Sequence, residues 1–452
     1  MTPPSPQLVG PTAPLGPMLV AGFGGALAVW CAWFAAPLPW VALPENLSIA
    51  LAGIVWLAVT FACLRLGGSR PTLPLGVGAG VITAAICVIP LLSTLRPAGE
   101  NDSPLAHPLP TDAWKVVAAF FLAGGVIGGA ASLLARSTTQ PRVTASPGEH
   151  GWLARFAIIT AASVAPLLFF GGLVTSTNSG MAVPDWPTTF GAQMFFYPMG
   201  SETNPDVYLE HTHRLFGTLV GLTAIVLLAW TAVVERWTWP TKVALGAFVL
   251  VGLQGILGGQ RVIHDNRLMA MVHGVLAQLV FAVFVALAVY LTPAYQRFTP
   301  NTGLDPVLAK RLKRFATALM HALILQLILG ALARHFRKGD HALWTHAAFS
   351  IIIVLLAAML GFAAAAIPRE AAGKGLTALR RSGVLLVATV VLQFILGWAA
   401  FAVRGADIKA ATTFEALTRT AHQANGALLL AAATLAFVWS RWAFRSAQPN
   451  RT

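Results

Sequence analysis

The sequence has very little charge. Asp, Glu, Lys and Arg together make up 10% of its 452 residues, whereas a soluble globular protein carries roughly 25%. The mean hydropathy of +0.71 excludes a disordered chain, since disorder requires low hydrophobicity. Long apolar runs such as Val243–Leu257 do not alternate between polar and apolar residues, as the strands of a membrane barrel would. The sequence therefore predicts an all-α polytopic membrane protein.

Cysteines and acidic residues are also scarce. Cys31, Cys63 and Cys87 lie in apolar runs and form no CxxC pair, which argues against a disulfide framework and against a cysteine metal site. The 16 acidic residues are outnumbered by 30 basic ones. Because the basic residues fall in short loops between apolar runs, they indicate membrane topology, and we expect no nucleic-acid partner.

Twelve runs are long enough to span a membrane, which takes about 20 apolar residues because the hydrocarbon core is about 30 Å thick. The predicted spans are Met18–Ala36, Leu47–Leu66, Leu75–Leu92, Ala113–Ala135, Arg155–Thr175, His211–Val233, Lys242–Gly259, Leu268–Leu291, Arg314–Ala333, His346–Ala366, Gly383–Phe401 and Thr420–Trp442. With the N-terminus inside, 19 of the 30 basic residues and only 4 of the 16 acidic ones fall on the inner side. The positive-inside rule therefore predicts that both termini are cytoplasmic.

The last eight spans resemble a duplication of four. Glu210–Gly217 (EHTHRLFG) aligns with Leu343–Ser350 (LWTHAAFS), and Gln254–Gly258 (QGILG) aligns with Gln393–Gly397 (QFILG). A polar segment near residues 136–151 predicts a linker before the repeat. We therefore expect an N-terminal four-helix extension of unknown role at residues 1–150, followed by two pseudo-symmetric four-helix bundles at residues 151–300 and 301–452.

Four histidines occupy equivalent positions in this repeat. His213 aligns with His346, and His273 aligns with His422. Each is expected near the first turn of a helix that enters from the outer side, so each bundle carries one pair at the outer membrane face. Two neutral imidazoles on facing helices suit the axial positions of haem. His211 lies two residues before His213 and is the alternative ligand on that helix.

One carboxylate distinguishes the two bundles. Glu210 lies one helical turn before His213, whereas Leu343 takes the equivalent place before His346. This difference suggests that the first bundle performs chemistry and that the second holds a cofactor. The alternative is that Glu210 only caps the N-terminus of its helix, where the helix dipole favours an acid.

Other polar residues and glycines lie at similar depths. Four arginines could bind propionates or could be ordinary loop charges, namely Arg214, Arg261, Arg404 and Arg419. Gln254 and Gln393 lie within spans, where we expect them to hydrogen-bond across helices. Four glycines are expected to permit close helix packing, namely Gly171, Gly172, Gly258 and Gly259.

The chain contains five distinctive motifs in order, namely Gly171–Gly180 (GGLVTSTNSG), Pro184–Pro187 (PDWP), Glu210–Gly217, Gln254–Val262 (QGILGGQRV) and His273–Gly274. Together these motifs resemble the haem A synthase family. The resemblance covers about residues 155–442 and is stronger in the first bundle. It implies a membrane-bound oxidoreductase that converts haem O to haem A, oxidising a ring methyl to a formyl group by successive hydroxylation with electrons passed through haem B.

The resemblance also implies roles for individual residues. His213 and His273 would ligate the substrate haem, His346 and His422 would ligate the iron of the haem B cofactor, and Glu210 would match the family's essential acid. Haem O, membrane lipid, a membrane enzyme that supplies haem O and an electron acceptor would be the partners, and a homo-oligomer is compatible with the sequence. The expected location is the bacterial plasma membrane.

The sequence departs from the family in two places. Many relatives carry a cysteine pair around the PDWP segment, where this chain has Val183 and Thr189, so a step that needs thiols would be absent. The first 150 residues lie outside the family core. A di-haem b-type electron-transfer protein is the main alternative function, and it would not need Glu210. A transporter would instead show paired six-helix halves with polar groups near mid-membrane.

Overall fold

The fold is built almost entirely of long helices. A computed structural model describes residues 15–68, 70–95, 109–138, 147–199, 204–296, 305–336, 340–367, 374–404 and 412–442. Within these ranges, the helices are α1 (Leu15–Ala35), α2 (Glu45–Arg65), α3 (Leu73–Leu95), α4 (Ala113–Thr138), α5 (Gly148–Thr177), α6 (Pro205–Val234), α7 (Trp239–Ile263), α8 (Arg267–Tyr290), α9 (Pro293–Gln296), α10 (Pro306–His335), α11 (His341–Ala365), α12 (Lys374–Ala402) and α13 (Thr413–Trp442).

Twelve of these helices are long and apolar enough to cross a membrane, and they correspond to the twelve predicted spans. The short helix α9 is the exception. An all-α polytopic membrane protein is therefore confirmed. In the part of the chain that is described, β-pairing is limited to an isolated bridge between Thr189 and Ala192.

Several helices begin earlier than predicted because polar residues start them outside the apolar run. Helix α6 begins at Pro205, and the Asn204 side chain accepts a hydrogen bond from the Asp206 N–H. Helix α10 begins at Pro306, and Asp305 accepts from the next two N–H groups. Such N-caps followed by proline at the first helical position are favourable starts. A hydropathy window detects only the segment that lies in the hydrocarbon core.

The chain divides into two compact units, with the boundary within α5. The first comprises residues 1–92 and 110–159, and the second comprises residues 93–109 and 160–452. In the first unit, α3 and α4 cross at contacting backbones, where Gly76 and Gly80 face Gly128 and Gly124. A side chain at these positions would overlap the opposite backbone, so small residues permit the close approach.

The second unit contains both halves of the repeat. One half comprises α6, α7, α8 and the C-terminal part of α5, and the other comprises α10 to α13. One apolar core cluster of this unit includes Leu312, Leu360, Leu386 and Trp439 of the second half, and it also takes in Ala282 and Val289 of α8. The two halves contact each other directly, because Thr420 in α13 donates a hydrogen bond to Ser176 in α5.

Candidate functional site

The structure brings the four predicted histidines together as two pairs. His213 in α6 faces His273 in α8, with ring centroids 6.3 Å apart and ring planes at 83°. His346 in α11 faces His422 in α13, with the same centroid distance of 6.3 Å and an angle of 87°. Each pair joins the second and fourth helices of one half. The two halves therefore present their histidines in the same geometry.

The histidines lie deeper in their helices than predicted. His346 and His273 fall in the second turns of α11 and α8, while His213 and His422 fall in the third turns of α6 and α13. The expectation that all four lie near a first turn is wrong. Helices α6, α11 and α13 begin five to seven residues before their predicted spans, at Pro205, His341 and Thr413. Helix α8 begins only one residue before its predicted span, so His273 was already in the second turn of that span.

The imidazole rings rest on glycines of neighbouring helices. A Cβ built on Gly171 would lie 2.8 Å from Cε1 of His213, and one built on Gly258 would lie 2.9 Å from Cε1 of His273. The same measurement gives 2.8 Å for Gly330 and His346, and 3.2 Å for Gly397 and His422. Gly171 and Gly258 were expected to serve helix packing alone, but the atoms nearest to them belong to histidine rings.

At one histidine of each half, a backbone carbonyl one turn before the glycine faces the same ring. Nδ1 of His213 lies 3.1 Å from the Leu167 carbonyl, and Nδ1 of His346 lies 3.2 Å from the Gln326 carbonyl. A carbonyl only accepts, so Nδ1 carries the proton in these two contacts, and Nε2 is the nitrogen left available to a metal. The other two rings differ, because Nδ1 of His273 is buried without a hydrogen-bond partner in the described ranges and Nδ1 of His422 lies 3.2 Å from the Gln393 side-chain amide.

The separation of the rings fits a metal shared by each pair. A metal bonded at about 2 Å to one nitrogen of each ring, with about 1.2 Å from that nitrogen to its ring centre, places the two centroids about 6.4 Å apart. The observed value is 6.3 Å in both pairs. Among the described residues, no three His, Cys, Asp or Glu side chains form a metal cluster. Haem suits such a pair because the porphyrin supplies the other four nitrogens.

His211 lies in a different environment from His213. Its side chain is fully buried. Nδ1 lies 3.3 Å from the Thr189 hydroxyl, and its ring centroid lies 5.2 Å from that of Tyr197. Thr189 and Tyr197 lie in the loop between α5 and α6. His211 therefore packs against that loop and belongs to neither of the two histidine pairs.

Glu210 is buried, and both of its carboxylate oxygens have partners. Oε2 accepts a hydrogen bond of 2.9 Å from the Val183 N–H, and Oε1 forms an ion pair of 2.8 Å with Arg214. Only 1% of the Glu210 surface is exposed. The N-cap of α6 is Asn204, so the alternative interpretation of Glu210 as a helix cap is wrong.

Arg214 ties the loop between α5 and α6 to the carboxylate. Besides Glu210, it donates hydrogen bonds to the carbonyls of Val183, Asp185 and Thr188, at 2.8 to 3.0 Å. Four of its five N–H donors are therefore used within the protein. Val183 and Thr189, the positions where many relatives would carry cysteines, are both fully buried in this loop.

The same loop is fixed by two further contacts. The indole of Trp186 packs so closely on Gly259 in α7 that a side chain there would overlap it. Asp185 accepts hydrogen bonds of 2.8 Å from the N–H groups of Phe190 and Gly191. Partial burial raises the pKa of Asp185, but these hydrogen bonds outweigh it and leave the pKa below its usual value. These contacts hold the loop in a defined conformation next to Glu210.

The other three arginines lie in distinct settings. The Arg261 guanidinium packs beside Gly180, and the acids that act on it electrostatically are Glu210 and Asp265. Arg404 forms an exposed ion pair of 3.2 Å with Asp340. Arg419 forms a buried ion pair with Glu415. Arg261 acts electrostatically on both histidines of the first pair.

Glu415 is a buried carboxylate that the sequence analysis missed. It is 5% exposed and lies on α13, two turns before His422. The sequence signal that could have found Glu415 is an acid and an arginine four residues apart at the start of a span, shortly before a histidine. Each half therefore has a buried acid, but in the first half the acid lies one turn from the histidine.

The glutamines differ between the halves. Gln393 accepts a hydrogen bond of 2.8 Å from Asn425, and its Nε2 lies 3.2 Å from Nδ1 of His422. Gln254 was expected to hydrogen-bond across helices in the same way. Its amide atoms are buried without a hydrogen-bond partner in the described ranges, so for Gln254 that expectation is wrong.

Comparison with known proteins identifies the segment that holds the first pair. Residues 154–342 match the family model described as cytochrome oxidase assembly protein. The haem A synthase of Shouchella clausii is 27% identical over 189 residues, which cover 41% of this chain and 60% of that protein. That of Parvibaculum lavamentivorans is 28% identical over 237 residues, covering 44% and 65%. That of Exiguobacterium sibiricum is 31% identical over 130 residues, covering 28% and 41%.

These matches confirm the resemblance to the haem A synthase family. The chain spans about two fifths to two thirds of the length of these three relatives. The family-model match includes Glu210, His213 and His273 and ends before His346. The second pair is therefore linked to the first by the internal repeat and by its geometry.

Proposed function

We propose that this chain is a membrane-bound oxidoreductase that converts haem O to haem A, because residues 154–342 match the cytochrome oxidase assembly family model and the chain is similar to haem A synthases. The observation that carries the proposal is the combination of two equivalent histidine pairs with one closely placed carboxylate. Glu210 lies one turn from His213 on the same helix face. An electron-transfer protein with two haems would use both pairs but would have no need for that acid.

In this proposal the first pair, His213 and His273, binds the substrate haem, and the second pair, His346 and His422, binds the haem B cofactor. The near-identical ring geometry supports two groups of the same kind. When bound, haem B supplies one-electron redox chemistry. Arg261, beside the first pair, is the arginine best placed for a propionate, since Arg214 is occupied by the loop.

Glu210 acts as the proton-handling group in this proposal. Each hydroxylation exchanges a C–H bond of the ring methyl for a C–OH bond, and a carbon that bears two hydroxyls loses water to leave the formyl group. A proton must leave the reacting carbon or the attacking oxygen, and a positioned carboxylate accepts such protons. Arg214 and the Val183 N–H hold Glu210 in one orientation under the loop.

The partners follow from this reaction. A membrane enzyme that makes haem O would supply the substrate from within the lipid, and an acceptor would take the electrons removed from the methyl carbon. Haem extraction, chromatography and mass measurement on the purified protein test the assignment. We expect haem B together with haem O, hydroxylated haem or haem A. Haem B alone would favour the electron-transfer function, and a protein purified without any haem would contradict both.

A matched pair of variants tests the role of Glu210. Glu210→Gln is expected to retain both haems and to lose formyl formation, because the amide cannot accept the proton. Glu415→Gln removes the buried acid of the second half, and it is expected to keep formyl formation in proportion to its haem B content. If the Glu210→Gln variant formed haem A at the normal rate, the proposed role of Glu210 would be wrong.

A further inference from the structure

Four glycines stand out because the atoms nearest to them are imidazole atoms. Gly171, Gly258, Gly330 and Gly397 lie on four different helices, α5, α7, α10 and α12. An ideal Cβ at each would lie 2.8 to 3.2 Å from Cε1 of one paired histidine, and each glycine serves a different histidine. The repeat thus reproduces a contact between a glycine and an imidazole four times.

At one histidine of each half, the carbonyl that faces the ring stands four residues before the glycine. Leu167 precedes Gly171 by four, and Gln326 precedes Gly330 by four. Residues four apart lie on the same face of a helix, so at these two positions one helical turn presents both a flat surface for the ring and an acceptor for Nδ1. We call each glycine that receives an imidazole, together with this carbonyl where it is present, a histidine cradle.

We propose that these glycines are positioning residues, and that each cradle fixes the orientation of one histidine so that Nε2 points to the centre of its pair. The inference rests on the proposed function only in that each pair binds a haem iron. The carbonyl sets which nitrogen carries the proton, and the glycine sets how near the ring can approach its helix.

The distances explain why an alanine would not serve. A Cβ at Gly258 would lie 2.9 Å from the His273 ring, whereas ordinary contact begins at 3.4 Å. The ring would have to move by about 0.5 Å, which is the tolerance within which a ligand must be held. Gly171 and Gly330 are tighter at 2.8 Å, and Gly397 is looser at 3.2 Å. We therefore expect alanine to weaken haem binding most at Gly171 and Gly330, slightly less at Gly258 and least at Gly397.

Helix α7 provides a matched control for the test. Gly255 lies one turn before Gly258, and a Cβ there would meet no atom within 4 Å. Gly258→Ala and Gly255→Ala therefore make the same chemical change on the same helix, and only one of them reaches a histidine. Gly330→Ala makes the reciprocal change at the second pair.

The experiment measures the haem content and the ferric low-spin EPR signals of each purified full-length variant. We expect Gly258→Ala to bind the substrate haem 10- to 100-fold more weakly, in line with the loss of a supporting contact to a metal ligand, and to keep haem B. Gly330→Ala should lose haem B and keep the substrate haem. Gly255→Ala should match the unmodified protein in both haems and in both signals.

The EPR signals separate ligand positioning from general packing. The anisotropy of a low-spin signal depends on the angle between the two imidazole planes, here 83° and 87°. Gly258→Ala should alter one signal and leave the other unchanged. Equal haem content and equal signals in Gly258→Ala and Gly255→Ala would overturn the cradle while leaving the proposed function intact. An unmodified protein without haem would overturn both.

Discussion

His211 and His213 lie on opposite sides of α6, although they are two residues apart. Each residue turns the helix by about 100°, so a separation of two places their side chains about 200° apart. His213 faces His273 and rests on Gly171, whereas His211 contacts Thr189 and Tyr197 in the loop. The sequence favoured His213 only through the alignment of Thr212 with Thr345 and left His211 as an alternative, because the contacts that separate the two histidines come from segments distant in the chain.

We expect the two histidines to give different phenotypes when replaced. His213→Ala should remove the substrate haem and leave haem B, because one of its two ligands is lost. His211→Ala should retain both haems and should lower the thermal unfolding midpoint, because a fully buried ring is deleted. Haem extraction and thermal unfolding measure the two effects. Loss of haem from His211→Ala alone would assign the ligand to His211.

Arg214 and Glu210 should be coupled energetically. Their side chains are 9% and 2% exposed, so Arg214→Met would leave a buried carboxylate without its cation, at a cost of about 3 kcal/mol or more. Arg214 also holds three loop carbonyls. The double variant with Glu210→Gln should recover part of the loss, because the uncompensated charge is removed. Additive effects in thermal unfolding would contradict this coupling.

At the scale of helices, hydrophobic length predicted every membrane span but not the helix ends. The span predicted at Arg314–Ala333 is Pro306–His335 in the structure, and the one predicted at His211–Val233 is Pro205–Val234. The additional residues are polar and capped, so hydropathy does not register them. The early start of α6 is what moves Glu210 from a capping position to the middle of the site.

The loop between α5 and α6 was the least predictable element. It has no periodic pattern, and its conformation depends on Arg214 in α6 and Gly259 in α7. The histidine cradles were missed for a related reason. A glycine within a span is usually interpreted as a packing residue, and the ring that contacts it comes from another helix, between 15 and 42 residues along the chain.

Gln254 in α7 and Gln393 in α12 differ in hydrogen bonding, so we expect their replacement to have different effects on stability. Gln393→Leu would leave the Asn425 amide without its side-chain acceptor, which should lower stability by about 1–3 kcal/mol. Gln254→Leu should be neutral or stabilising, since it replaces a buried amide that has no hydrogen-bond partner in the described ranges. Thermal unfolding of the two variants in one detergent measures the difference. Equal losses would contradict it.

At the scale of the whole molecule, the duplication is more evident in the structure than in the sequence. Weak matches such as QGILG and QFILG suggested it. The two pairs then show the same centroid distance, nearly the same ring angle and the same contact between a glycine and each imidazole. Packing geometry constrains only a few positions in each half, so the remaining positions diverge without disturbing the site.

The predicted orientation in the membrane can be tested on the full chain. The excess of basic residues on one side places the turn between α6 and α7 inside and the turn between α7 and α8 outside. Trp237 and His264 are exposed in these two turns. In a background without Cys31, Cys63 and Cys87, we introduce Trp237→Cys or His264→Cys and treat intact cells with a membrane-impermeant thiol reagent.

We expect His264→Cys to react in intact cells and Trp237→Cys to react only after the membrane is opened. The first histidine pair lies on α6 and α8, the two helices on either side of α7 in the chain. Labelling of His264→Cys would therefore place the first pair toward the outer face. Each variant is the control for the other, because both use the same reagent and lie at opposite ends of α7. Labelling of Trp237→Cys in intact cells, with His264→Cys protected, would reverse the topology and move both pairs to the cytoplasmic side.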